Sequence, residues 1–179
     1  MATSNDLPVL ADGSVAAGAN PAVMRCDDET LEVLNDLLEN ARNGEYGFRT
    51  CAKELPAGSS QRQALNQRAS QYHEVCDGLA QLIRRHGGLP AEGGTTGAAI
   101  HRRWVHVKGA IGANSELSIL EECERGEEAA MVRCLQAIER NLPPDVRDLI
   151  ARQAAAAQES RDRIRTLCDQ ARTGGRSKA

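Results

Sequence analysis

Aromatic residues are nearly missing from this chain of 179 residues: one Trp, two Tyr and one Phe, together 2% of the total. Any core must therefore rest on Leu, Ile, Val, Ala and Met, a palette that suits helices approaching closely through small side chains. Runs of alternating β-branched residues are also absent, which argues against a sheet. No stretch of about 18 apolar residues exists, so no membrane-spanning helix is expected. Neither sign of charge dominates: 22 Lys and Arg stand against 25 Asp and Glu, a formal net charge of −3. That leaves no global basic field for nucleic acid. The six cysteines include no C-x-x-C pair, which excludes a zinc knuckle and a thioredoxin-like motif. Cys76, Cys123 and Cys134 fall on apolar stripes and read as small hydrophobes of a reducing compartment. Residues 1–20 lack a positive region followed by an apolar core, so no secretory signal is read and a cytoplasmic location is expected.

What the chain does have is helical periodicity. Residues 1–26, rich in Ala, Gly, Ser, Asn, Asp and Pro, read as a disordered N-terminal tail. From 27 to 172 the pattern is long helix, long helix, crossover, long helix, long helix. The first helix spans about 29–55, with acid at its start, and Pro56-Ala57-Gly58 breaks it. Ser60 with Gln63 reads as a capping box opening the second helix, which Gly87-Gly88 and Pro90 stop near His86. Residues 87–97 form a glycine-rich connector without P-loop or dinucleotide-binding spacing. A short helix at about 98–111 carries Trp104. Its basic residues Arg102, Arg103 and Lys108, with the tails, are all that favours nucleic acid, a partner that the charge balance makes unlikely. The third helix runs over about 115–140 and the fourth over about 144–171, with proline in its first turn. Residues 173–179 read as a flexible basic tail. Two short links and one long crossover make two antiparallel helix pairs, the connectivity of ferritin-like bundles. The expected fold is an all-α, ferritin-like four-helix bundle whose crossover carries the short extra helix.

Two glutamates interrupt this pattern. On the first helix Leu31, Leu34, Leu38, Ala41, Phe48, Ala52 and Leu55 form the apolar stripe, and the slot between Ala41 and Phe48 is Glu45. On the third, Leu120, Cys123, Ala130, Cys134 and Ala137 leave Glu127 in the equivalent slot. Aligning Gly44-Glu45 with Gly126-Glu127 exposes a weak internal repeat. A carboxylate on a core stripe is costly unless it is paired, protonated or bound. Three readings stay open. In the first, Arg161 or another cation neutralises the glutamates in a buried polar cluster. In the second, Glu45, Glu127, Glu124 and His73 contribute to a reduced metal site for iron or another divalent ion. In the third, the helical phase is off by one residue and the glutamates face water. A full di-metal ligand set, with Glu-x-x-His on two helices, cannot be written: the second helix offers Glu74-x-x-Asp77, and the fourth has no histidine.

Leu34-Asn35-Asp36-Leu37, Asn43-Gly44-Glu45-Tyr46-Gly47-Phe48, Gly87-Gly88-x-Pro90, His101-Arg102-x-Trp104 and Ile119-Leu120-Glu121-Glu122-Cys123-Glu124-Arg125-Gly126-Glu127 occur in this order. Together they resemble a bacterial ferritin-like four-helix-bundle family of unknown function, over about residues 29–170. The resemblance implies the fold, a bacterial and cytoplasmic setting near stress-response proteins, and no assigned reaction. The family's fourth helix reads His-Asp-x-Ile where this chain has Arg161-Asp162-Arg163-Ile164, which puts a cation in place of a ligand. The functional expectation is a bundle of unassigned activity with a polar centre, working through a homo-oligomer or a protein partner. The alternative is a carboxylate-based, iron-binding protein or oxidoreductase.

Overall fold

The structure, a computed structural model, describes residues 27–92 and 116–176. The expected N-terminal tail and the crossover helix with Trp104 lie outside the described residues. Four helices follow in order: α1 Asp28–Glu54, α2 Ser60–Arg85, α3 Glu116–Ile138 and α4 Pro144–Arg176. They agree with the sequence reading to within a few residues, with two differences. The cap of α2 is Ser59, whose hydroxyl accepts from the Arg62 amide at 3.1 Å, so Ser60 is already the first helical residue. The fourth helix also runs past 173 to Arg176; the expected basic tail therefore begins inside it. There the Thr173 hydroxyl donates to the carbonyls of Asp169 and Gln170.

Local chemistry sets the ends. Asp27 caps α1 by accepting from the Thr30 amide at 2.8 Å, which supplies one of the partners that the first helical amides lack. At the end of α2, Gly87 turns with φ 80° and the Gly88 amide reaches back to the Ile83 carbonyl at 2.9 Å, a Schellman closure. Gly88 then lies so close to Leu31 that an added Cβ would fall 2.6 Å from Leu31 Cδ2. At the α3–α4 corner the Arg147 guanidinium donates to the Ile138 and Arg140 carbonyls at 2.6 and 3.0 Å, satisfying groups that α3 leaves open.

α1 packs along α2 and α3 along α4, while the two hairpins meet chiefly through α1 and α3. The start of α1 lies by the end of α3, with Glu29 and Arg140 at 2.6 Å. The end of α2 lies by the start of α4, where His86 Nε2 meets Asp145 Oδ2 at 2.9 Å. Neighbouring helices are thus antiparallel all round. Leu34, Leu38, Leu65, Leu79, Ile83, Leu120, Val146 and Ile150 fill the interior with at most 2% exposure, each contributing about 1.5–3 kcal/mol by burial. The α2–α4 seam is the most open one. Small residues, Ala64 on α2 with Ala156 and Ser160 on α4, line a groove there whose floor includes Arg68.

The His86–Asp145 tie carries a pH dependence. Burial pushes the Asp145 carboxyl up, but the hydrogen bond and charge of His86 and the amides at the start of α4 outweigh it, so the carboxyl sits below its ordinary value. Because the folded value lies below the unfolded one, the contribution is complete above the unfolded value of about 3.9 and is lost as pH falls through the folded value. Thermal melts across acid pH should show this loss in the wild type and not in Asp145→Asn. Parallel curves would refute it.

Candidate functional site

Glu127 is the most deeply placed charge among the described residues, with 0% exposure. Its position follows from the register of α3, whose buried residues Leu120, Cys123, Glu127, Ala130, Cys134 and Ala137 all lie on the stripe read from sequence. Its partners come from α2. Arg68, itself 6% exposed, donates through Nε to Oε1 at 2.5 Å and through Nη2 to Oε2 at 3.0 Å. This is the two-pronged geometry that suits guanidinium to carboxylate. The Tyr72 hydroxyl donates to Oε2 at 2.9 Å. Gln71 accepts from Arg68 Nη1 at 3.2 Å, so all three of the guanidinium's nitrogens are engaged.

Electrostatics fixes the protonation of the donors. Burial lowers the Arg68 value, and the bonds and charge of Glu127 more than reverse it, so the net shift is upward and the guanidinium remains a cation. Burial, then the adjacent Glu127 carboxylate, raises the Tyr72 phenol, which keeps its proton and donates it. The Arg68 guanidinium carbon also sits 4.4 Å from the Tyr72 ring centroid, a cation–π contact. Phe48 lies against the same ring at 5.7 Å between centroids. The room for that ring comes from Gly44: a Cβ there would fall 2.7 Å from two of its carbons. A cavity of ≈ 30 Å³, lined in part by Arg68, Tyr72, Cys134 and Gln153, lies beside the cluster.

The other candidates lie elsewhere. Glu45 has a side chain 15% exposed, but its carboxylate turns to the α1–α2 rim, where Arg49 meets it at 2.8 Å and His73 at 3.3 Å. Glu45 and His73 are thus together, away from the Arg68–Glu127–Tyr72 cluster. Glu124 reaches Arg165 of α4 at 3.5 Å. Arg161, expected to be the buried partner, instead bonds to Glu128 and Asp162 on the α3–α4 rim. Arg68 already holds both oxygens of Glu127 from the other side, so the cation of the buried-cluster reading is Arg68. Arg68 and Tyr72 are not among the site residues that the sequence singles out, although Leu65, Arg68, Tyr72 and Leu79 follow the same three-and-four spacing that exposes Glu127.

The five cysteines among the described residues are free and buried. The hydrogen bond of the Cys123 thiol to Cys51, and then burial, raise that thiol well above its ordinary value. Burial takes Cys76, Cys134 and Cys168 up to about 11. The thiols of Cys76, Cys123, Cys134 and Cys168 are thus protonated at neutral pH and poor nucleophiles, and Cys76, Cys123 and Cys134 are buried as their place on apolar stripes predicts.

The chain belongs to the family described as a domain of unknown function, DUF2383, which it matches over residues 29–140. Among solved structures it is similar to the bacterioferritin-related protein from Bacteroides fragilis, described as a dodecameric thioferritin. The two are 16% identical with a TM-score of 0.66, over 85% of this chain and 92% of that one. At this identity the likeness shows the fold, which is ferritin-like. No curated protein matches the chain.

A ferritin-like fold raises the question of metal, and the centre of this one does not fit an ion. A di-metal centre needs carboxylates and imidazoles converging from the helices. Here both Glu127 oxygens accept from protein donors, and the nearest group is a cation. Among the described residues, no three His, Cys, Asp or Glu side chains are grouped as a metal would require. No described helix is long and apolar enough to cross a membrane.

Proposed function

We propose that this chain is a non-enzymatic ferritin-like bundle that works by association, with a guanidinium in the central role that a metal ion plays in ferritin-like di-metal proteins. One observation carries this reading: both oxygens of the buried Glu127 are taken by Arg68 and Tyr72. Three of this carboxylate's roughly four acceptor positions are taken by protein donors, and the fixed positive charge of Arg68 repels an ion. The cluster instead joins α2 to α3, tying one hairpin to the other. The stress-physiology setting rests on the family resemblance alone.

Association is supported by the surface of α3, where Val132 and Leu135 are 40% and 50% exposed. The dodecamer named for the similar Bacteroides protein makes a second copy of the chain the first partner to test.

The decisive experiment is elemental analysis after purification without chelator, before and after anaerobic Fe(II) addition and removal of the excess. The expected result is no retained metal and a melting temperature unchanged by chelator, because the internal pair needs no ion. Stoichiometric iron that is lost in Glu127→Gln, with chelator-sensitive stability, would overturn this reading in favour of a carboxylate-based metal protein or oxidoreductase.

A further inference from the structure

The outward face of α3 is built to meet itself. Its buried side is the stripe through Glu127, Ala130 and Cys134, and the opposite side is centred on Val132. At 3.6 residues per turn, Arg125 lies within about 20° of Val132, Glu128 and Gln136 within about 40°, and Ala129 and Leu135 within about 60°; Glu139 is the first residue after the helix, which ends at Ile138, and continues the same side. All seven are exposed. The seam is apolar at its middle and carries opposite charges at its two ends, Arg125 on the side of the start of α3 and Glu139 just past its end.

We infer that α3 pairs with α3 of a second copy, antiparallel, about a twofold axis through Val132. In that arrangement each residue meets the one equally far along in the other direction. Val132 meets its own counterpart, Ala129 receives Leu135 of the second copy, and Arg125 faces Glu139 of the second copy. The small residue opposes the large one and the cation opposes the anion, each pairing occurring twice by symmetry. A parallel pairing would instead stack Arg125 on Arg125 and Glu139 on Glu139, so the charge pattern selects the antiparallel orientation. Arg125 is bonded to Glu122 of its own chain, but its side chain is 64% exposed and able to swing across the seam. Glu128 is already held by Arg161 and has a lesser part.

This inference rests on the reading of the protein as one that works by association, and names the face and the partner. The test is sedimentation equilibrium over a wide concentration range on the full chain and on Arg125→Glu and Glu139→Arg. Each variant places like charges together twice in its homodimer and should dimerise at least about tenfold more weakly. Mixing the two variants should restore association. In the mixed dimer the two introduced charges have opposite signs and face each other, and the native Arg125 of one chain meets the native Glu139 of the other. Two variants that dimerise as well as the wild type would overturn this face while leaving association itself standing. A wild-type chain that stays monomeric at every concentration would overturn both the face and self-association.

Discussion

Replacing Arg68 with methionine should destabilise the protein by about 3–5 kcal/mol, the cost of breaking one side of a buried ion pair. Methionine fills much of the space of the arginine stem but leaves Glu127, at 0% exposure, with only the Tyr72 hydroxyl as a donor. The penalty is the stranded charge. Removing the whole polar set, in Arg68→Met with Glu127→Leu and Tyr72→Phe, should therefore recover most of the loss, since buried ion pairs are often no more stabilising than well-packed apolar replacements. Arg161→Met provides the contrast. Its partner Glu128 is 50% exposed, and solvent screening leaves such rim pairs with little net contribution. Denaturant unfolding of these variants decides which arginine neutralises the centre. Equal costs for Arg68→Met and Arg161→Met would remove the basis for the assignment.

The contrast between the two arginines also shows how far the sequence can be read. The four helices and the inward place of Glu127 follow from three-and-four spacing, because a helix in a bundle repeats its environment every turn or two, and the antiparallel pairs follow from the short links between them. Glu127 is legible because carboxylates on a stripe are conspicuous. Arg68 sits on the stripe of α2 in the same way, between Leu65 and Tyr72. A long arginine on such a face ordinarily turns its head to water, and only the placement of α2 across from α3 shows that this head stays inside. Glu45 illustrates the reverse. Its Cα lies in line with Leu38 and Ala52, yet the flexible side chain carries the charge to Arg49 and His73 at the rim. Periodicity specifies where a side chain starts; for long charged residues the end point depends on which helix stands opposite. Pairing between distant segments, such as Arg68 with Glu127 rather than Arg161 with either glutamate, is a tertiary fact that no local spacing encodes.

The internal repeat therefore has different chemistry in its two copies, and its glycines should respond oppositely to the same substitution. Gly44→Ala should destabilise by about 1–3 kcal/mol, the usual cost of overpacking, because the new methyl would fall 2.7 Å from the Tyr72 ring. The ring is confined by Phe48 and by the stacked Arg68. It cannot move away without pulling its hydroxyl from Glu127, so clash and lost hydrogen bond come together. Gly126→Ala meets nothing within 4 Å on an exposed helical position. It should stabilise by up to about 1 kcal/mol through helix propensity alone. Thermal or denaturant melts of the two variants would show the opposed signs. If Gly44→Ala also stabilised, the ring would have room to spare, and the tight seat that directs Tyr72 at Glu127 would be disproved. With both effects as expected, the glycine before each glutamate has taken a separate role: one seats the phenol that helps hold the central carboxylate, while the other lies on the outer surface, where a side chain is free to be added.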